Sequence, residues 1–239
     1  MGGPPLFSGI LVNRSILRVN ATLEPLEIPP KPRLRGVLHQ AAFAIALVVG
    51  ALLVVFADGR RASLAAAIFA GSVAAMLGMS ALYHRITWSP RVRPWMRRLD
   101  HAGIYLLIAG SYTPVGLLTL SGRLRTVVLA VVWSGAALAI VLKFAWVDAP
   151  KWLSAVIGIV LGWIGVAAMP QVWRHAGPAA VALLSAGGLA YTAGAVVYAC
   201  KRPDPAPHTF GYHEVFHALT LVAVACQYVA IAFFVIRVG

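Results

Sequence analysis

The sequence is poor in charged side chains, and acidic ones are the scarcest. Of its 239 residues, 11% are charged and only 7 are Asp or Glu. Soluble globular domains contain about 25% charged residues, so this composition argues against a water-soluble domain. Hydrophobic residues make up 60% of the chain, and the mean hydropathy is +0.83. The sequence therefore predicts an integral membrane protein.

Cysteine is almost absent from the chain. The two cysteines, Cys200 and Cys226, are far apart in the sequence, and both fall in apolar segments. This spacing excludes a Cys-x-x-Cys metal or redox motif, and two cysteines cannot form a dense disulfide framework. We interpret both as small apolar core residues.

Long apolar runs fill most of the chain after residue 36. Each is about as long as a helix that crosses roughly 30 Å of hydrocarbon at 1.5 Å per residue. Turn signals and charges, such as HAGP at 175–178, separate the runs. We predict membrane-spanning helices at 37–57, 63–83, 101–120, 126–142, 152–169, 179–200 and 213–236. The predicted fold class is an all-α integral membrane protein, a seven-transmembrane helix bundle formed by residues 37–239.

The positive charge of the chain is explained by membrane topology. A formal net charge of +13 would suit a nucleic-acid partner. Placing the N-terminus in the cytoplasm, however, puts most of the 20 Lys and Arg residues in the N-terminal segment and in the second, fourth and sixth loops. Cytoplasmic loops carry such an excess, so we predict the N-terminus inside and the C-terminus outside. Residues 1–36 are expected to form a cytoplasmic, partly disordered segment. The expected partner is the lipid bilayer of the cell membrane, not a nucleic acid.

A few ionisable residues lie at the edges of the apolar runs. They need an explanation, because a charged side chain in hydrocarbon costs at least about 2.5–3.5 kcal/mol. In the predicted topology the second helix ends at the cytoplasmic face with His84, and the third begins there with Asp100. The seventh helix also begins there, with His213 and His217. These four side chains would share one membrane level although they come from distant parts of the chain.

The residues at that level suit a zinc site. His213 and His217 are i and i+4, so they lie on one helical face. With His84 they offer three nitrogen ligands, and catalytic zinc sites with three protein ligands keep a fourth position for water. Asp100 would take or orient the proton of that water, and Ser80, one turn from His84, would contact the reacting oxygen. We predict that His84, His213 and His217 are metal ligands and that Ser80 and Asp100 are catalytic residues.

The same residues also have other interpretations. His84 could cap its helix beside Arg85, and Asp100 could be a first-turn carboxylate favoured by the helix dipole. HEVFH, at 213–217, matches the HExxH motif of zinc proteases with Glu214 as the general base. A membrane metalloprotease therefore stays an alternative. Three other histidines are assigned to loops or interfaces with no role in the site: His39, His175 and His208.

Three stretches of the sequence resemble the hemolysin III family, the bacterial branch of the progestin and adipoQ receptor group. They are SALYHR (80–85), RRLDHAGIYLLIAGSYTP (97–114) and FGYHEVFHALTL (210–221). The resemblance spans roughly residues 37–236. It implies a seven-helix bundle with a cytoplasmic N-terminus and zinc held by histidines near the cytoplasmic face. The Ser-x₃-His motif of the family matches Ser80 and His84, its Asp matches Asp100, and its His-x₃-His motif matches His213 and His217.

The resemblance also implies an activity, hydrolysis of a lipid amide or ester through a zinc-activated water. A lipid would then be the substrate and zinc the cofactor. Two alternatives from other functional classes stay open: a membrane-lytic, hemolysin-like protein, and a lipid sensor or receptor in which zinc is structural. A retinal protein is disfavoured, because the seventh span contains no lysine for a Schiff base.

Overall fold

The computed structural model describes residues 31–238, and all regular secondary structure in that range is helical. The helices are α1 (Val37–Val55), α2 (Gly59–Arg85), α3 (Arg93–Thr119), α4 (Gly122–Ala145), α5 (Lys151–Trp163), α6 (Met169–Cys200) and α7 (Tyr212–Ala230). A 3₁₀ segment, Ile164–Ala168, joins α5 to α6, and π and 3₁₀ turns extend α7 to Val238. The predicted N-terminal segment lies outside the described residues except for 31–36.

Six helical stretches within residues 31–238 are long and apolar enough to cross a membrane. They are Val37–Val55, Gly59–Arg85, Arg93–Thr119, Gly122–Ala145, Lys151–Cys200 and Tyr212–Val238. The prediction of an all-helical, multi-pass membrane protein is therefore confirmed.

The 50-residue stretch Lys151–Cys200 folds back on itself. Trp163 Nε1 donates a 3.0 Å hydrogen bond to Thr192 Oγ1, although 29 residues separate them. In one straight helix these residues would be about 43 Å apart. The turn falls at Gly177, whose φ of 83° is in the left-handed region that favours glycine, and Pro178 follows it. The break predicted at HAGP is thus a reversal between two antiparallel helical halves.

The bundle carries apolar side chains on its outside and many polar ones inside. On α1, the side chains of Ile45, Val48 and Val55 are exposed. The buried polar residues of the described chain include His39, Ser72, Ser80, His84, Asp100, Ser111, Thr113, Glu214, His217 and Thr220. The buried core also contains many apolar residues, such as Phe69 and Leu77, so what distinguishes the bundle from a soluble protein is its apolar outer surface, which fits helices surrounded by lipid. Cys226 is half-buried. Cys200 is exposed, so the assignment of Cys200 to the core is wrong.

α3 lies at the centre of the bundle, where it packs against α2 and α4 and also contacts α5 and α6. A Cβ atom added to Gly110 of α3 would lie 2.0 Å from Ser72 Oγ and 2.4 Å from Ser72 Cβ of α2. Membrane helices approach each other closely through such small residues. This contact between α2 and α3 helps to fix the positions of His84 and Asp100, which lie at one end of the same helix pair.

We predict that Gly110→Ala destabilises the fold, because the added methyl group would overlap Ser72 in a contact with no free space. The expected cost is about 1–3 kcal/mol, seen as a lower thermal unfolding midpoint in detergent. Gly71→Ala on α2 is the matched control, since its Cβ would meet no atom within 4 Å. Alanine at that position should leave the midpoint unchanged or slightly higher. Equal midpoints for the two variants would contradict the close helix contact.

Candidate metal centre

Three histidine side chains from two helices meet at one end of the bundle. His84 lies in the last turn of α2, and His213 and His217 lie one turn apart at the start of α7. The Nε2 atoms of His84 and His213 are 3.0 Å apart, and one ring nitrogen from each histidine lies within 4.8 Å of the other two. The side chains are buried or half-buried. The structure therefore places together all three residues that the sequence predicts as metal ligands; we call them the histidine cluster.

The geometry of the histidine cluster fits a zinc ion. Zinc–nitrogen bonds of about 2.0–2.1 Å in a tetrahedral site place ligand nitrogens about 3.3 Å apart. The separation of 3.0 Å between His84 and His213 is close to that value. The upper limit of 4.8 Å exceeds it by a distance that rotation of an imidazole can close. The donor set, three imidazoles from two helices, is also one that zinc prefers.

The two residues predicted as catalytic lie beside the histidine cluster. Asp100 Oδ2 is 3.7 Å from His84 Nε2, and Asp100 is buried. Ser80, one turn before His84 on α2, shares a 2.8 Å hydrogen bond with Nδ1 of His39. Because α3 begins at Arg93, Asp100 lies about two turns inside the helix. The alternative interpretation of Asp100 as a first-turn carboxylate is therefore wrong.

The assignment of His39 to a loop or interface is also wrong. Only 2% of its surface is exposed, and its ring stacks on that of His217 with the ring centroids 3.8 Å apart. Through this stack and its hydrogen bond to Ser80, His39 joins α1 to α7 and α2 at the site. The sequence contained a signal for it: α1 begins at the same face as α3, and His39 lies in its first turn.

Glu214 is held by two structural contacts. Its Oε2 accepts a 2.9 Å hydrogen bond from the backbone N–H of Gly211, the N-cap residue of α7. Glycine has no side chain, so only this half of a capping box is present. Its Oε1 forms a salt bridge with Nε of Arg35. Both carboxylate oxygens are thus engaged away from any substrate. This argues against Glu214 as a general base and therefore against the metalloprotease alternative.

Residues 31–36, which we call the strap, connect the ends of α2 and α7. The backbone N–H groups of Arg33 and Leu34 donate hydrogen bonds of 3.0 and 3.1 Å to carbonyl oxygens in the loop before α7. The ammonium group of Lys31 donates to the backbone carbonyl oxygen of His84. Partial burial and neighbouring positive charges lower the pKa of Lys31 below its ordinary value. The strap is therefore hydrogen-bonded to the backbone segments that position the histidine cluster.

An elongated cavity of about 190 Å³ extends from the histidine cluster into the bundle. His213 and His217 line it, and so does Gln227, about 21 Å further along α7 than His213. Its other lining residues are largely apolar and include Met76, Ile108, Val115, Val172, Leu184 and Phe216. An apolar space of this shape suits the hydrocarbon chain of a lipid.

A second cavity, of about 400 Å³, meets the first at the histidine cluster. The residues that line both cavities are Asp100, His101, Tyr198 and His213. The second cavity is polar and basic, with Arg35, Arg93, Arg97 and Lys151 in its wall. The histidine cluster therefore lies where a polar space meets an apolar one, which is the arrangement that an amphiphilic molecule requires.

The fold and the site define a class of protein: an all-helical, multi-pass membrane protein with buried histidines at one end of its bundle. The model of a family described as "Haemolysin-III related" matches residues 29–228, and the chain belongs to this family. The chain is 31% identical over 171 residues to the "Hemolysin-3 homolog" of Bacillus subtilis (strain 168), covering 72% of this chain and 77% of that protein. It is 32% identical over 157 residues to "Hemolysin-3" of Bacillus cereus, covering 66% and 68%. The resemblance seen in the three motifs is thereby confirmed, as is a location in the cell membrane.

We predict that Glu214→Gln lowers stability without lowering the metal content of the purified protein. The amide oxygen can still accept the Gly211 hydrogen bond, but the charge interaction with Arg35 is lost, at a cost of about 1–3 kcal/mol. The thermal unfolding midpoint and the bound zinc per chain check this.

Arg35→Met removes the other partner and should cost more, because it leaves the buried Glu214 carboxylate without its counter-charge. The double variant should cost no more than Arg35→Met, because both partners of the interaction are then neutral. Loss of zinc in Glu214→Gln at an unchanged unfolding midpoint would instead assign Glu214 to the metal site.

Proposed function

We propose that the protein is an integral-membrane, zinc-dependent hydrolase of a lipid amide or ester. The observation that carries the proposal is the buried histidine cluster beside Asp100, at the junction of an apolar and a basic polar cavity. A lipid can place its hydrocarbon chain in the first cavity and its headgroup in the second. Its amide or ester bond, between chain and headgroup, then lies at the histidine cluster. The activity implied by the family resemblance is of the same kind.

In this proposal His84, His213 and His217 hold the zinc ion, which when bound supplies Lewis-acid activation of water and of the substrate carbonyl. Asp100 accepts the proton that water loses as its oxygen attacks the carbonyl carbon. It returns that proton to the leaving nitrogen or oxygen as the bond to carbon breaks. Ser80 lines the apolar cavity and donates a hydrogen bond to the carbonyl oxygen of the substrate.

His39 acts on the reaction through its neighbours and not through the substrate. Its ring fixes the plane of the His217 imidazole, and its hydrogen bond sets the direction of the Ser80 hydroxyl. Substitution of residues that orient metal ligands typically lowers metal affinity or activity 10–100-fold.

We also propose that the chain crosses the membrane seven times, with its N-terminus in the cytoplasm and its C-terminus outside. The reversal at Gly177 divides Lys151–Cys200 into two halves, which supports a seventh crossing. The excess of basic residues on the predicted inner loops supports the orientation. The histidine cluster would then lie near the cytoplasmic face.

The names of both Bacillus relatives favour a second candidate function, lysis of membranes. A lytic role predicts that cell lysis does not depend on the histidine cluster. A lipid sensor with structural zinc is a third possibility, in which zinc is bound but no lipid is cleaved.

We predict that the double variant His213→Ala/His217→Ala loses its bound metal. The wild-type protein should contain about one zinc per chain, measured by elemental analysis after purification in neutral detergent, because three nitrogen ligands meet at one point. His175→Ala is the control, since His175 is exposed on α6. Full zinc occupancy in the double variant would refute the assignment of the ligands.

We predict that Asp100→Asn keeps the zinc but reduces hydrolysis of a fluorogenic acyl amide or ester by at least about 100-fold, since an amide cannot accept the proton. Released fluorophore in neutral-lipid nanodiscs is the measurement. Ser134→Ala, an exposed position on α4, is the control.

Other outcomes of that experiment discriminate between the candidates. Zinc-loaded wild-type protein that cleaves no member of an acyl amide and ester panel would favour structural zinc. Red-cell lysis that is equal in wild type and in the zinc-free double variant would favour the lytic function and would sink the hydrolase proposal if no cleavage accompanies it.

A further inference from the structure

Lys143 places a positive charge in the wall of the apolar cavity. It lies in the last turn of α4 and lines that cavity, and only 2% of its surface is exposed. No hydrogen bond or salt bridge within residues 31–238 engages its ammonium group. Its ammonium nitrogen is not among the fully enclosed side-chain atoms that lack a hydrogen-bond partner, so it faces open space in the cavity, where an occupant can bind it.

Lysines near a helix end commonly either extend to the lipid headgroups or pair with another residue of the protein, and neither explanation applies to Lys143. A lysine that reached the headgroups would be exposed on the outer surface. Two neighbouring cations have partners: Arg97 pairs with Asp148 at 2.7 Å, and Lys151 donates a 2.7 Å hydrogen bond to Tyr212 Oη. Lys143 differs from both in lacking such a contact.

Buried polar atoms without a hydrogen-bond partner belong to residues that line the same cavity. The buried side-chain nitrogen and oxygen atoms of the described chain that lack a hydrogen-bond partner are His39 Nε2, His101 Nδ1, Tyr191 Oη and Gln227 Oε1. All four residues line the apolar cavity. Buried polar atoms in native proteins are nearly always hydrogen-bonded, so their common location points to an occupant with polar groups of its own.

The position of Lys143 indicates which part of that occupant it meets. α4 ends at the end of the bundle where α3 begins, so Lys143 lies on the side of the histidine cluster and not at the deep end near Gln227. The second cavity, which opens at the same place, is itself basic. The negative charge that binds Lys143 therefore lies where the apolar cavity meets the basic one and belongs to the headgroup side of the lipid, while the hydrocarbon chain extends towards Gln227.

We propose that Lys143 forms an anion subsite, and that the substrate is an acyl lipid whose headgroup carries a carboxylate or a phosphate. This rests on the proposed function in one respect, that the apolar cavity receives the substrate. The ammonium group binds the anion through a charge-assisted hydrogen bond, which is strong where water is excluded. A neutral lipid leaves Lys143 without a partner and therefore binds more weakly.

Binding of non-cleavable probes to the full chain in neutral detergent tests the subsite. Hexadecanoate, hexadecyl phosphate and hexadecanol share one hydrocarbon chain and differ in the headgroup, and isothermal titration gives the affinity for each. Wild-type protein should bind at least one anion roughly tenfold or more tightly than the alcohol. The comparison of the two anions decides between carboxylate and phosphate.

Lys143→Met should remove this preference. The affinity for the two anions should fall about tenfold, and the affinity for hexadecanol should not change. Lys143→Arg should retain the preference, and Arg123→Met, an exposed position at the other end of α4, should not alter it. Without ligand, Lys143→Met should leave the unfolding midpoint unchanged or higher, because it removes no hydrogen bond or ion pair within residues 31–238. If Lys143→Met does not fold, Lys143→Gln serves the same purpose.

An anion preference that survives in Lys143→Met, or that is absent from the wild type, overturns the subsite. The zinc-free variant His213→Ala/His217→Ala separates the two proposals, because the preference should persist in it. A preference that depends on Lys143, in a wild-type protein that cleaves no lipid, supports the subsite and refutes the hydrolase. Lipid cleavage by a wild-type protein that shows no anion preference supports the hydrolase and refutes the subsite.

Discussion

Polar side chains inside a bundle whose outer surface is apolar must be solvated by one another. Neither lipid nor bulk water is available to them, so each one without a partner adds directly to the cost of folding. The site described here satisfies this constraint mainly by pairing residues that are distant in sequence: His84 with His213, Ser80 with His39, and Glu214 with Arg35. These pairs join the ends of α1, α2 and α7. The residues that give the site its chemistry are therefore also residues that hold its helices together.

The sequence predicted the histidine cluster for a simple geometric reason. Successive spans of a membrane protein alternate in direction, so the depth of a residue follows from its position in its run. Applied to His84, Asp100 and His213, this rule was sufficient to find the site. It applies equally to His39, whose place in the first turn of α1 gives it the same depth.

Other features depend on packing, which the sequence pattern does not reveal. α4 is apolar on all sides, so nothing in its sequence shows that Lys143 faces the interior. The HAGP break marked an interruption at 175–178, but the reversal there becomes evident only from the contact between Trp163 and Thr192. The HExxH letters around Glu214 have a local cause, since a glutamate three residues after the N-cap residue Gly211 accepts a hydrogen bond from its backbone N–H. The same letters fit two different roles, and only the hydrogen bonds of Glu214 distinguish them.

The strap has a practical consequence for anyone who shortens or tags this chain. Lys31 and Arg35 precede the first membrane helix and look dispensable by hydropathy, yet they bind the end of α2 and the start of α7. A truncation that begins at Val37 would preserve every apolar run and still detach these two anchors from the helix ends that carry His84 and His213. A shortened protein should therefore keep Lys31 and Arg35, because without them the ends of α2 and α7 lose contacts that position the site.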